Sequence, residues 1–117
     1  MAKSKRSRAC DISERVRLRV EVRDEGRCII CGLPGFPNAH YIRRSQGGLG
    51  VEKNIVTLCP VCHERYDNGD KREEYGAYIK QYLSWAYEDW NEEDLVYDKW
   101  RDMNEQRCFD GPTYKRP

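Results

Sequence analysis

Two Cys-x-x-Cys pairs constrain this chain more than any other feature. Cys28-Ile-Ile-Cys31 and Cys59-Pro-Val-Cys62 stand 27 residues apart. A two-residue spacer lets both sulfurs of a pair face one ion, and four thiolates close a tetrahedral shell around Zn²⁺. A shell made only of thiolates leaves no open position, so the predicted site staples rather than catalyses. Composition explains the need for a staple. Of 117 residues, 38% are apolar and 35% charged, and mean hydropathy is −0.96, so a single domain of this size has a thin core. Zinc binding contributes directly to folding free energy. Cys10 and Cys108 fall outside the pattern, as free thiols or as neighbours of each other.

The chain has no apolar run near the roughly 20 residues of a membrane span. Met1–Arg8 carries positive charge with no apolar segment behind it, which is unlike a signal peptide. The expected location is the cytoplasm, where patterned cysteines more often bind metal than form disulfides. A formal net charge of +1 hides a strong asymmetry. Residues 1–58 hold 12 Lys+Arg and 6 Asp+Glu; residues 59–117 hold 9 and 14. A basic half suits a polyanion such as nucleic acid.

Along the chain, residues 1–10 read as a basic, flexible tail. In residues 11–27, Val16, Leu18, Val20 and Val22 alternate as in a strand, yet Ser13 as an N-cap and Gly26 as a stop suit a helix. Residues 28–37 form a turn-rich knuckle. Residues 38–42 and 55–58 read as strands flanking a Gly-rich loop, and residues 60–68 as a short helix with Pro60 in its first turn. Tyr75, Ile79, Tyr82, Leu83, Ala86 and Trp90 share a face of a helix over 72–90. Asn91 caps a second helix over 92–106 that carries Leu95, Val96, Trp100 and Met103. The aromatic residues of this region read as core packing rather than base stacking. The expected division is a tail over 1–10, a core over 11–70, a helical extension over 71–107 and a tail over 108–117.

The chain has only two histidines, His40 at the end of the first strand and His63 directly after Cys62. They bracket Gly47, Gly48 and Gly50, with Asn54 between the loop and the second strand. The order Cys28, Cys31, Ala39-His40, Gly47-Gly48, Asn54-Ile-Val-Thr-Leu-Cys59, Cys62-His63 resembles the HNH endonuclease family, over roughly residues 12–70. The resemblance implies an α+β fold: a small ββα-metal core stapled by four cysteines, with flanking helices. It also favours a helix over residues 13–24. A free-standing domain of this kind looks similar to phage- or prophage-encoded nucleases of bacterial cells.

Phosphodiester hydrolysis needs an in-line nucleophile, charge stabilisation on the phosphate and help for the leaving 3′ oxygen. A neutral imidazole, with an ordinary pKa of about 6.5, can deprotonate water near neutral pH. A divalent cation can polarise the phosphate and take up developing charge. The resemblance gives His40 the base role and His63 a metal-ligand role. It makes Asn54 the residue that holds the loop, and in some members this Asn reaches the metal. Many members carry a metal-binding Asp immediately before the first His; here that position is Ala39. Asp67, four residues after His63 on the same helical face, is the expected second ligand of a catalytic Mg²⁺, Mn²⁺, Ni²⁺ or Zn²⁺. Asn38 is a weaker candidate, and Asp67 also reads as a helix-end residue. Arg43 and Arg44 follow His40 closely enough to clamp a phosphate, and Lys53 would add a backbone contact. The expected partner is DNA, with the C-terminal helices free to dock a protein or a second copy. The rival reading is a non-catalytic zinc-knuckle module that binds nucleic acid or protein, which needs neither histidine.

Overall fold

The structure, a computed structural model, describes residues 4–98. In chain order these form α1 (Lys5–Cys10), α2 (Glu14–Asp24), β1 (Phe36–His40), β2 (Ile55–Leu58), α3 (Pro60–Asp67) and α4 (Arg72–Ala86). Short 3₁₀ turns cover Arg44–Gln46, Glu52–Asn54 and Glu92–Leu95. β1 and β2 pair antiparallel, with Ala39 opposite Val56 and His40 opposite Ile55. The architecture is α+β, a two-stranded sheet among helices, as the sequence predicts. A register irregularity lies between Phe36 and Ala39, the stretch that contains Pro37, which has no N–H to give to the ladder.

The ambiguous segment 11–27 is helical. Ser13 Oγ accepts the Val16 N–H at 3.1 Å, and the chain leaves the helix through Glu25 and Gly26, both at positive φ. The alternation that suggested a strand is superficial: Leu18 and Val22 are exposed, whereas Val20, Arg23 and Asp24 are buried. Much of what α2 buries is therefore polar. The Arg23 guanidinium grips Asp24 through two bonds of 2.8 and 2.9 Å. It also donates to the carbonyls of Glu52 and Ile55 and to the Tyr87 hydroxyl. Asp24 accepts from the Thr57 N–H and the Tyr82 hydroxyl. Desolvating such a pair is costly unless its remaining donors and acceptors find partners. Here they do, and the pair ties α2 to β2 and to α4.

The apolar core joins Ala39, Val56 and Leu58 of the sheet to Tyr66 of α3 and to Ile79, Leu83 and Ala86 of α4. Tyr66, Tyr75 and Tyr87 are buried, and Tyr82 and Trp90 pack against the core, in keeping with the packing role expected of these aromatics. Tyr78 and Trp85 stay exposed.

Three expectations need correction. Within the basic, flexible tail expected over residues 1–10, Lys5–Cys10 form helix α1. Ser4 caps α1 by accepting the Ser7 N–H at 3.1 Å, and Cys10 is buried at its end. α4 stops at Ala86, because Tyr87 turns extended and the chain folds back until the Trp90 indole N–H reaches the Lys53 carbonyl at 2.8 Å. Within the described part of the helix expected over 92–106, Glu92–Leu95 form a 3₁₀ turn and residues 96–98 are not helical. Beyond it the backbone is used in pairing: Tyr97 N–H donates to the Gly47 carbonyl and Leu49 N–H to the Leu95 carbonyl, both at 2.8 Å. Trp100, Met103 and Cys108 lie outside the described residues. Among the described residues, no helix is long and apolar enough to cross a membrane.

Candidate metal centre and active-site cleft

The first Cys pair sits in a tight turn in which Gly32, at φ 83°, donates its N–H to the Cys28 carbonyl at 2.9 Å. The second opens α3. Pro60 occupies the first turn, where its missing N–H costs nothing, and Cys59 Sγ accepts the Cys62 N–H at 3.4 Å. Packing β2 and α3 beside the first turn brings the ligand sulfurs of Cys28, Cys31, Cys59 and Cys62 within 4.8 Å of one another. Cys31 and Cys59 are 3.6 Å apart. Two sulfurs each about 2.3 Å from a tetrahedral ion stand about 3.8 Å apart, so the set suits a structural metal such as zinc. The electrostatics agree. Burial works to raise the Cys59 thiol, but the Cys62 N–H and the neighbouring sulfurs hold it down to about 7. Cys62 is pushed up by burial and by the other sulfurs. Four thiolates at this spacing call for a cation.

Beside the centre, His40, Arg43, His63 and Asp67 line one cleft of about 840 Å³, with Asn38 on its β1 side. His40 ends β1, and its Nε2 lies 2.9 Å from the Cys10 carbonyl oxygen. A carbonyl can only accept, so Nε2 carries the proton and Nδ1 is left as the acceptor of the neutral ring. Burial lowers the His40 pKa; the Cys10 carbonyl opposes this and the positive charge of Arg44 adds to it. Across the cleft, His63 Nε2 and Asp67 Oδ2 are 3.0 Å apart, one helical turn from each other on α3. Two ligand atoms each about 2.1 Å from one ion at a right angle would also be about 3.0 Å apart. The same separation is also that of a hydrogen bond between the ring and the carboxylate. Arg43 reaches the end of the same helix, Nη2 donating to the Asp67 carbonyl at 2.8 Å. Its remaining N–H groups are uncommitted by that bond.

Asn54 is fully buried, beneath the cleft rather than in it. Its Oδ1 accepts the Ile42 N–H at 2.8 Å, and its Nδ2 donates to the carbonyls of Leu49 (2.8 Å) and Ile42 (3.2 Å). It thus clamps both ends of the loop that leaves β1, two residues beyond His40. Ala39 is fully buried within the apolar core, so the position beside His40 turns no side chain to the cleft.

Arg44 is not a free clamp. Its Nη1 donates to the Cys10 carbonyl at 2.7 Å and its Nη2 pairs with Asp11 at 2.8 Å. Lys53 is paired with Asp89 and lies over the Tyr87 ring, so it is engaged away from the cleft. The loop glycines serve close approach of backbone to backbone. A Cβ at Gly48 would meet the Ile42 carbonyl oxygen at 1.7 Å, and one at Gly50 the Asp11 oxygen at 2.0 Å. The Cys10 carbonyl is the element that sequence reasoning missed: a main-chain oxygen has no residue signature, and α1 lacks the apolar periodicity that would have announced it.

Residues 28–69 match the family model described as HNH endonuclease. The chain is also 37% identical over 46 residues to Anaredoxin of Nostoc sp.. That match covers 38% of this chain and 60% of the length of the curated relative. The family match spans the two Cys pairs and the two histidines, which suggests nuclease-type activity.

Proposed function

We propose that the chain is a metal-dependent DNA endonuclease in which His40 is the general base and His63 and Asp67 hold the catalytic cation. The observation that carries this reading is the convergence of the two histidines, Asp67 and Arg43 on a single cleft, with the His40 Nε2 occupied by a main-chain carbonyl. Such a ring is oriented and tautomerically defined before substrate arrives. Its Nδ1 takes a proton from the attacking water, and burial, by lowering its pKa, favours the neutral ring that this role needs. Arg43, anchored at the Asp67 carbonyl, offers its remaining N–H donors to the phosphate as charge develops. A divalent cation at His63 and Asp67 would supply Lewis-acid polarisation of the phosphate and charge neutralisation at the leaving 3′ oxygen. Asn54 positions His40 through the loop and does not touch substrate. With Ala39 in the core, the residues that would hold the cation are His63 and Asp67 of α3. A zinc held by Cys28, Cys31, Cys59 and Cys62 would fix β2 and α3 in place and, with its shell filled by thiolates, would take no part in the chemistry. The working unit is the 11–70 core together with α1.

Plasmid cleavage with Mg²⁺, Mn²⁺ or Ni²⁺ tests this. Wild type should nick or cut, whereas His40→Ala and His63→Ala should each lose activity with their zinc retained. Asp67→Ala should raise the cation concentration needed for half-maximal rate. A wild-type protein that never cuts, or a His40→Ala variant that cuts as well as wild type, returns the chain to a zinc-knuckle binding module.

A further inference from the structure

The cleft is built from three walls, β1, the 42–46 turn and α3, and closed on the remaining side by α2 and the segment before it. Arg17 of α2 contributes its side chain to that last wall. It differs from the other two arginines there. Arg43 is bonded to the Asp67 carbonyl, and Arg44 is spent on the Cys10 carbonyl and Asp11. Among the described residues, the Arg17 side chain has no hydrogen bond or ion pair. It is also exposed, so its fork of donors is free for a ligand.

The position is rigid. α2 packs against both strands and is pinned to β2 and α4 through Arg23 and Asp24. Arg17 and Arg43 therefore present guanidinium groups from different walls of one cleft. The acidic groups on the lining are Asp11, already paired with Arg44, and Asp67, already beside His63. Neither lining carboxylate is left over to neutralise Arg17. An anion that spans both walls fits this charge pattern, and a cleft of about 840 Å³ has room for more than one phosphate group.

We infer that Arg17 binds a backbone phosphate of the DNA strand next to the one that is cut, fixing the strand across the cleft between α2 and α3. This rests on the nuclease reading above. Arg17 is a positioning residue: it holds a non-reacting phosphate, so its contribution falls on binding rather than on the chemical step.

Binding is measured without cleavage by placing both arms in the His40→Ala background. Zinc-loaded full-length protein is titrated against a fluorescein-labelled random-sequence duplex, with and without Arg17→Ala, from 50 to 200 mM salt. Arg17→Ala should weaken binding about tenfold at 50 mM and only about threefold at 200 mM, because losing one phosphate contact lowers the salt slope by about 0.9. Arg17→Lys should restore the slope but not the full affinity, since an ammonium keeps the charge and loses the fork. In the cutting enzyme, Arg17→Ala should raise KM with little change in kcat. Zinc content and thermal midpoint should not move. An unchanged dissociation constant, or weakening with an unchanged salt slope, overturns the assignment. A protein that shows the Arg17-dependent slope but never cuts sinks the nuclease reading and leaves this contact standing. One that cuts normally with KM unmoved by Arg17→Ala does the reverse.

Discussion

Gly50→Ala puts the proposed role of α1 to a direct test. The new methyl carbon would lie 2.0 Å from the Asp11 oxygen, 2.5 Å from the Asp11 carbonyl carbon and 3.0 Å from the Cys10 oxygen. An ordinary carbon–oxygen contact is about 3.4 Å, so a gap of about 1.4 Å must open. The loop is the stiffer side. Leu49 is held on its carbonyl by buried Asn54 and on its N–H by the Leu95 carbonyl. α1 is held by thinner means: Gly50 N–H to the Ala9 carbonyl at 3.0 Å, Arg6 to the Ser45 carbonyl at 3.1 Å, and the two bonds of Arg44. At about 1 kcal/mol or less for each such bond, α1 should come away at a cost of about 2–3 kcal/mol, as a local opening that leaves the rest folded. The His40–Cys10 distance of 2.9 Å would then exceed 4 Å, which is no hydrogen bond. His40 would lose its fixed tautomer, and a general base is worth about 10²–10⁴ in rate. Cleavage should fall about 100-fold with zinc retained. The structural event has its own readout. In a Cys108→Ser background with zinc bound, buried Cys10 should react slowly with a thiol reagent in the parent and quickly in Gly50→Ala. Fast labelling together with parental cleavage would show that His40 does not depend on α1, and the reasoning would fail.

Three further outcomes are expected. Asn54→Ala deletes the three hydrogen bonds of a buried side chain and should cost about 3 kcal/mol, lowering the thermal midpoint by over about 10 °C. A direct metal-ligand role for Asn54 would instead leave stability nearly unchanged. Because burial lowers the His40 pKa, the acid limb of the kcat/KM profile should lie below the ordinary imidazole value of about 6.5, with the rate flat through neutrality; a limb at or above pH 7 contradicts the base assignment. Chelation of the structural metal should unfold the core cooperatively, read as loss of far-ultraviolet helicity, while His63→Ala and Asp67→Ala should each retain about one tightly held zinc per chain. Retained helicity after complete zinc removal would refute the staple.

What the sequence announces and what it conceals divide along one physical line. The strand at 55–58 and the helix opening at Pro60 are legible because the turn chemistry and apolar character around them agree locally. The knuckles are legible because metal ligation restricts spacing. The His63–Asp67 juxtaposition follows from helical pitch alone. In α2 the local signals conflict: alternation says strand, capping says helix, and tertiary burial of Arg23 with Asp24 decides, which no period in the sequence encodes. The region after Ala86 fails for a related reason. Leu95 and Val96 have helical spacing, but the Gly47–Leu49 backbone offers pairing that a helix there would forgo. The deepest omission lies at the site itself. His40 is conspicuous as a histidine, yet what orients its ring is a peptide oxygen 30 residues earlier, carried by a helix of basic residues with a single buried side chain. The glycine that permits the approach is visible at position 50, but its partner is not. A residue chosen for having no Cβ records that something comes close without recording what. Gly50 and Asp11 must be seen together before either becomes part of the proposed mechanism.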